Sequence, residues 1–155
     1  MSEEVSEVQP RFAVAPYVPY AKIARLEKEL KLLQGFTPKI THHFAKGVYG
    51  REAFIPKGTA FVGRIHNQSQ INIISKGDIS VLTESGLVRM KAPCTLVAFA
   101  GAQRAAFAHK DTIWTTILGT ECTDPEVIFE TLTSATFEEF QQAIGEIFER
   151  METGS

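Results

Sequence analysis

Two pairs of adjacent polar residues lie in segments whose composition predicts β-strands, and each pair could contribute one side chain to a chemical site. His42 and His43 are neighbours, so a regular strand directs them to opposite faces and at most one of them faces a pocket. Arg51 and Glu52 alternate in the same way, and whichever of them faces inward needs a partner. An imidazole can act as an acid, a base or a metal ligand, and an inward charge points to a binding site.

Three further polar or aromatic residues occur at strand spacing. Gln70 and Asn72 are two residues apart and therefore share one face of a strand. Their side chains either line a pocket or form hydrogen bonds with backbone groups. Trp114 alternates with Thr112 and Thr116. Its indole ring either fills the core or forms a pocket wall on which a ligand can stack. These positions add hydrogen-bonding groups to the candidate site.

Several common catalytic sites are excluded by their missing motifs. The chain contains no nucleophile elbow, phosphate-binding loop, dinucleotide fingerprint or HExxH zinc motif. Cys94 and Cys122 show neither CxxC nor Cys/His spacing, so we expect two ordinary thiols without a disulfide or a structural zinc site.

The elements that must position these residues are mainly β-strands. Between Thr41 and Thr120, short apolar or alternating segments are separated by Gly, Pro and charged turns, a pattern typical of an all-β sandwich or barrel. Ser85 and Gly86 predict a tight hairpin turn. The predicted strands are 41–45, 48–55, 60–65, 70–76, 78–83, 87–91, 94–99, 104–108 and 112–119.

Helices are predicted on both sides of this β-region. Apolar residues at spacings of three and four predict an amphipathic helix that ends near Gly35. Two capping boxes, Thr123 with Glu126 and Thr136 with Glu139, predict two C-terminal helices. The expected organisation is an extended arm at 1–19, a helix at 20–35, a β-domain at 36–121, helices at 122–152, and a tail at 153–155 that could be a cloning remnant.

The block from Gly58 to Gly77, GTAFVGRIHNQSQINIISKG, resembles the first motif of the cupin superfamily. That motif places a His-x-His, a Glu and a second Gly at fixed distances from its first Gly. On these distances Arg64 stands at the first His, His66 at the second and Gln70 at the Glu. The later segment AFAGAQRAAFAH resembles the second cupin motif, with Arg104 at its His position. Residues 36 to 130 are similar to small, mostly uncharacterised cupin-like proteins of bacteriophages and bacteria.

The resemblance implies a mainly β fold, a cupin-type jelly-roll sandwich or barrel with an N-terminal arm and helix and two C-terminal helices. It also implies a cavity at the positions where the family holds a metal. Arginine has no acceptor and cannot lose its charge in a protein, so Arg64 and Arg104 would repel a cation, and we expect no metal and no other cofactor. A rebuilt metal site would have to use His66, His42 or His43, with His109 or Glu52 as further candidate ligands.

Inward arginines would suit an anion instead, because guanidinium forks match carboxylate and phosphate oxygens. Alternatively, both arginines pair with acids such as Glu52, Glu84 or Asp111, or reach solvent at the barrel mouth. The predicted ligand-binding residues are Arg64, His66, Gln70, Asn72, Arg104, Glu52 and Trp114.

These residues lead to three functional hypotheses. The first is a metal-independent protein that binds a small anionic molecule and, if encoded by a phage, sequesters a host metabolite or signal. The second is a cupin enzyme, either a metal-dependent oxygenase or isomerase or a metal-free isomerase with His66 as its base. The third is a structural or interaction protein with a filled barrel.

Charge and targeting signals limit the partners. The chain has 155 residues with 16 Lys and Arg against 18 Asp and Glu, which gives no positive field for nucleic acid. Met1 to Pro10 lack the features of a signal peptide, and no apolar run has membrane-spanning length. We expect a cytoplasmic protein, in the host bacterium if phage-encoded, that forms a homodimer or a higher homo-oligomer, because open sheet edges and an apolar arm favour pairing.

Overall fold

A computed structural model describes residues 20–32, 38–83 and 86–153 of the chain. Its helices are α1 (Tyr20–Leu32), α2 (Pro125–Leu132) and α3 (Phe137–Thr153). Its strands are β1 (Lys39–Ala45), β2 (Val48–Ile55), β3 (Ala60–Val62), β4 (Ile65–His66), β5 (Gln70–Lys76), β6 (Asp78–Thr83), β7 (Gly86–Lys91), β8 (Cys94–Ala98), β9 (Ala105–Ala108), β10 (Thr112–Gly119) and β11 (Thr133–Ser134). The predicted arm at 1–19 lies outside the described residues.

The strands form two main antiparallel sheets. One sheet has the order β1-β2-β10-β5-β8, and the other has the order β3-β9-β6-β7. Buried residues of both sheets form one core cluster: Ala53, Ile55, Ile74 and Trp114 from the first sheet and Ile79, Val81, Ala106 and Ala108 from the second. Because the two sheets bury their inner faces against each other, the architecture is a β-sandwich.

A short ribbon of β4 and β11 lies beside the sandwich. The sequence predicts a single strand at 60–65, but that prediction is wrong because the chain leaves the sheet after Val62. The Gly63 N–H donates to the Arg104 carbonyl, and the His66 N–H donates to the Ala102 carbonyl. His66 lies on the separate strand β4, where it pairs with Thr133 of β11.

The turn at Gly77 connects β5 to β6 and requires glycine. Its φ angle of +110° lies in the left-handed region, and a Cβ built there would lie 2.6 Å from the Cα of Thr112. The predicted hairpin between β6 and β7 is also present, with Thr83 opposite Gly86. Its turn residues, 84 and 85, lie outside the described residues.

The helices dock at different places on the β-core. In α1, Ile23 is buried and the Tyr20 hydroxyl donates to the Gly101 carbonyl at 2.7 Å. In α3, Phe140 packs in a cluster with Ile65 and Ala100. The fold therefore attaches its first and last helices around the Ala100–Gly101 corner.

The two predicted caps have different outcomes. At α3, the Glu139 N–H donates to the Thr136 hydroxyl at 3.2 Å, as the capping box predicts. At α2, the predicted cap Thr123 is wrong, because Asp124 is the cap and its carboxylate accepts from the Glu126 N–H at 3.0 Å. Pro125 at the first helical position places the cap on the residue directly before it.

Candidate functional site

A cavity of about 670 Å³ opens along the inner face of the five-stranded sheet. Its other walls are the 61–66 segment, the chain around Arg104, and α2. The volume lies in the range of small-molecule sites, which is about 300–1,000 Å³. Six of the seven residues proposed from the sequence as ligand-binding line this cavity together: Arg64, His66, Gln70, Asn72, Arg104 and Trp114.

Strand register arranges the sheet side of the cavity in parallel rows. His42 lies opposite Arg51, Arg51 opposite Thr116, and Thr116 opposite Asn72. All four side chains line the cavity, and we call them the polar row. The row forms because each residue occupies the inward phase of its own strand.

The neighbouring row, two residues along each strand, is apolar. Ile40 lies opposite Ala53, and Ala53 lies opposite Trp114. These three residues, which we call the apolar row, also line the cavity. Ala53 and Trp114 belong to the main core cluster, and Ile40 packs against it. The apolar row therefore forms the floor where the cavity meets the core.

Arg51, rather than Glu52, faces the cavity. Glu52, proposed from the sequence as a ligand-binding residue, is not among the residues that line the cavity. The physical reason is strand alternation, which places Glu52 on the outer face beside His43, with His43 Nε2 3.4 Å from Glu52 Oε1. The same alternation turns His42 inward, where its Nδ1 lies 2.6 Å from the Tyr49 hydroxyl.

Asn72 is held in one orientation by its neighbours. Its Oδ1 accepts from Trp114 Nε1 at 2.9 Å and from the Thr116 hydroxyl at 2.8 Å. Because an indole N–H can only donate, the Asn72 oxygen must be the atom facing Trp114. Trp114 therefore forms part of the wall and orients Asn72.

Two buried amide atoms on this wall have no hydrogen-bond partner among the described residues. They are Asn72 Nδ2 and Gln70 Oε1, on side chains that are only 1% and 6% exposed. A buried polar atom left unpaired costs about 1–3 kcal/mol, so such atoms are found mainly where a ligand or a water molecule completes the site.

Arg64 connects the 61–66 segment to the end of α2. Its Nε donates to the Thr133 hydroxyl at 2.8 Å, and its guanidinium carbon lies 4.3 Å from the centroid of the Phe129 ring. Cation–π contacts of this kind contribute about 0.5–2 kcal/mol. Arg64 thus secures one wall of the cavity as well as adding a positive charge to it.

His66 lies near two positively charged side chains of the cavity, those of Arg51 and Arg104. Burial is the main cause that lowers the pKa of His66 from 6.5 to about 4, and the charges of Arg51 and Arg104 lower it further. The imidazole is therefore neutral at pH 7. Burial also lowers the pKa of Arg51, but a guanidinium keeps its charge at neutral pH.

Helix α2 brings two acids to the cavity. Glu126 and Glu130 line it from this helix and are exposed to solvent. The helix also supplies apolar wall residues, among them Ile128, which packs with Tyr49 and Leu118. The cavity is thus cationic where the sheet meets the 61–66 segment and acidic along α2.

The structure adds site residues that the sequence did not single out. Arg51 was considered only as one of an alternating pair, and Tyr49, Thr116 and Phe129 were not proposed. Spacing alone did not single out Arg51, because apolar residues occupy both faces of its strand: Ala53 and Ile55 share the face of Arg51, and Phe54 shares the face of Glu52. Phe129 gave no signal either, since nothing in its helix indicates which surface the helix covers.

The remaining candidate residues lie in other surroundings. His109 Nε2 is 2.6 Å from the Ser80 hydroxyl on the second sheet, away from the cavity. Cys94 and Cys122 are both free thiols. Within the described part of the chain, no group of three or more His, Cys, Asp or Glu side chains could hold a metal ion. None of the helices described there has the length and apolar character needed to cross a membrane.

Comparison with solved structures finds several similar β-proteins. Ectoine synthase from P. lautus matches with a TM-score of 0.52 and 13% identity, over 65% of this chain and 77% of that one. An uncharacterised protein with a double-stranded β-helix domain from Klebsiella pneumoniae matches with a TM-score of 0.48 and 12% identity, over 56% of this chain and 80% of that one. A cupin domain from Bordetella pertussis matches with a TM-score of 0.43 and 15% identity, over 56% and 94% of the two chains.

No family model matches the chain, and the search of characterised proteins gives no match. At the identities found, the structural matches show the fold alone. The order of the strands in the two sheets and the ectoine synthase match confirm the mainly β jelly-roll fold predicted from the sequence. The chemistry of the cavity has to be argued from its own residues.

Proposed function

We propose that this chain, which has the cupin fold, binds a small anionic molecule in its cavity without using a metal ion. The observation that carries the proposal is that three arginines, Arg51, Arg64 and Arg104, line one cavity of about 670 Å³. Charge-assisted hydrogen bonds from guanidinium to carboxylate or phosphate are shorter and stronger than neutral ones. A concave site strengthens them further, because its walls have a lower dielectric constant than water.

The arginines differ in what they can offer. Arg64 is engaged with Thr133 and Phe129, so its main contribution is to hold α2 in place and to add positive charge. Arg51 and Arg104 lie close enough to His66 for both to lower its pKa. These two arginines therefore approach a common region, and we assign the anion to that region, with His66 as a neutral hydrogen-bonding neighbour.

The donor set at the cupin ligand positions does not fit a metal ion. Of the four positions that the sequence resemblance identifies, Arg64 and Arg104 carry fixed positive charges and Gln70 offers only a neutral amide. His66 alone retains a usual metal ligand. His42 lines the same cavity but is hydrogen-bonded to Tyr49, which leaves the site short of ligands.

An enzymatic role for His66 has less support than binding. A general base works best when its pKa lies near the working pH, and the pKa of His66 is lowered to about 4. An imidazole with such a pKa is a weak base at neutral pH. The proposed role of His66 is therefore to donate or accept a hydrogen bond rather than to remove a proton from the ligand.

The proposal is tested by calorimetric titration with inorganic phosphate, butyrate, benzoate, glucose 6-phosphate and AMP. The variants are Arg51→Met and Arg104→Met, which remove the charge and keep most of the apolar stem, with the exposed Arg25→Met on α1 as the matched control. A lost hydrogen bond to a charged group costs about 1.5–3 kcal/mol, so each cavity variant should weaken binding roughly 10- to 100-fold.

The control variant should bind as the wild type does, and a chelator should leave the affinity unchanged. Two results would contradict the proposal. One is equal binding by the wild type and both cavity variants. The other is binding that requires a stoichiometric metal ion and disappears when a chelator removes it.

A further inference from the structure

The inner face of the five-stranded sheet presents a charged surface directly beside an apolar one. The polar row of His42, Arg51, Thr116 and Asn72 is followed, two residues along each strand, by the apolar row of Ile40, Ala53 and Trp114. Two residues of a strand span roughly 7 Å. A ligand that places its charge at the polar row therefore has its next few atoms over the apolar row.

The floor formed by the apolar row has space for these atoms. Ala53 is the smallest of the three residues and lies in the middle of the row, between Ile40 and Trp114. The ring of Phe61 and the side chain of Ile55 extend the same apolar wall. Water gains few hydrogen bonds in a region lined in this way, so an apolar group occupies it more favourably.

The acids on α2 limit where a ligand can carry negative charge. Glu126 and Glu130 line the cavity on the side of this helix. A second negative group placed there would be repelled, while a neutral apolar group would meet Ile128 and Leu132. The cavity thus favours a molecule whose negative charge is confined to one end.

We infer that the ligand is an amphipathic anion, in which one carboxylate or phosphate is joined to an apolar chain or ring. The anionic end contacts Arg51 and Arg104, and the apolar end lies on the floor beside Ile40, Ala53 and Trp114. This inference rests on the proposed anion-binding function and adds the class of the molecule to it.

The test compares two carboxylates with the same charge and different apolar lengths. Butyrate and octanoate are titrated calorimetrically into the full chain, with inorganic phosphate as an anion that has no apolar part. Burial of one methylene improves affinity about fourfold, so octanoate, which has four more methylenes, should bind roughly 200-fold more tightly than butyrate, with one molecule per chain. Equal affinity for butyrate and octanoate overturns the inference and leaves the proposed function intact.

A pair of matched variants locates the apolar end. Ile40→Ala removes apolar surface from the floor, and Ile71→Ala removes the same group from the outer face of the sheet, where Ile71 is 43% exposed. Ile40→Ala should weaken octanoate about tenfold and butyrate less, because butyrate covers less of the floor, while Ile71→Ala should change neither. Octanoate binding that is equal in both variants and the wild type overturns the inference.

Thermal unfolding of both variants establishes that they are folded under the conditions of the titration. If Ile40→Ala does not fold, the comparison of butyrate with octanoate in the wild type still decides the inference. If neither carboxylate nor phosphate binds the wild type, the proposed function itself fails, and the inference fails with it.

Discussion

Acid should destabilise this fold through His66. Burial first, and then the charges of Arg51 and Arg104, lower the pKa of His66 to about 4 in the folded chain. In the unfolded chain the imidazole has its ordinary pKa of about 6.5. Between these two values the unfolded chain binds a proton that the folded chain does not, so protonation favours unfolding.

The two pKa values set the size and the sign of this effect. The stability that the neutral His66 contributes is fully present above its pKa in the unfolded chain. It is lost as the pH falls toward its pKa in the folded chain. Each pKa unit corresponds to about 1.4 kcal/mol, so His66 removes at most about 3 kcal/mol from the free energy of unfolding between pH 7 and pH 4. Arg51→Met takes away one repelling cation, so it should raise the pKa of His66 and reduce this loss.

Urea unfolding followed by the fluorescence of the single tryptophan measures the effect across this pH range. The variant His66→Gln should lose less stability on acidification than the wild type. The control His43→Gln, at a position where the imidazole is 56% exposed, should keep the wild-type pH dependence. If the wild type and His66→Gln lose the same stability between pH 7 and pH 4, the assignment of a buried, neutral His66 beside two cations is wrong.

Two further predictions follow from the same geometry. Glu130→Gln removes a negative charge from the cavity wall, so calorimetric titration should show about two- to fivefold tighter binding of butyrate at low salt. Added salt should diminish this increase in affinity. Gly77→Ala should lower the free energy of unfolding in urea by about 2 kcal/mol or more, because the added Cβ meets the Thr112 backbone and the backbone φ is positive. At Gly145 in α3 the added Cβ meets nothing within 4 Å, so Gly145→Ala should stabilise the chain slightly. Equal stabilities of the two glycine variants would contradict the account of the turn.

The strand pattern of the fold was accessible from the sequence because glycines, prolines and charges separate short apolar segments. Four predicted strands, 48–55, 70–76, 78–83 and 112–119, have the boundaries seen in the structure. The split between β3 and β4 was not predicted, since backbone hydrogen bonds to distant residues end the first strand at Val62. Likewise, β11 has only two residues and forms through pairing with β4.

The site was predictable where spacing decides which face a residue occupies, and less so elsewhere. Arg64, His66, Gln70 and Asn72, which the spacing within the Gly58–Gly77 block singled out, line one cavity. The choice between Arg51 and Glu52 was open, because apolar residues occur on both faces of their strand. Ala53 and Ile55 share the face of Arg51, and Phe54 shares the face of Glu52. The contribution of α2 depends on where that helix docks, which local sequence does not determine. The homodimer stays a prediction.

The most direct test of the anion site observes the arginines themselves during binding. In the NMR spectrum of the labelled protein, the Nε–H signals of Arg51 and Arg104 are assigned by their loss in the corresponding Met variants, and octanoate is then added. We predict that both signals shift together and saturate with one dissociation constant, while the signal of the exposed Arg25 stays in place. If the Arg25 signal moves and those of Arg51 and Arg104 do not, the anion does not bind in the cavity.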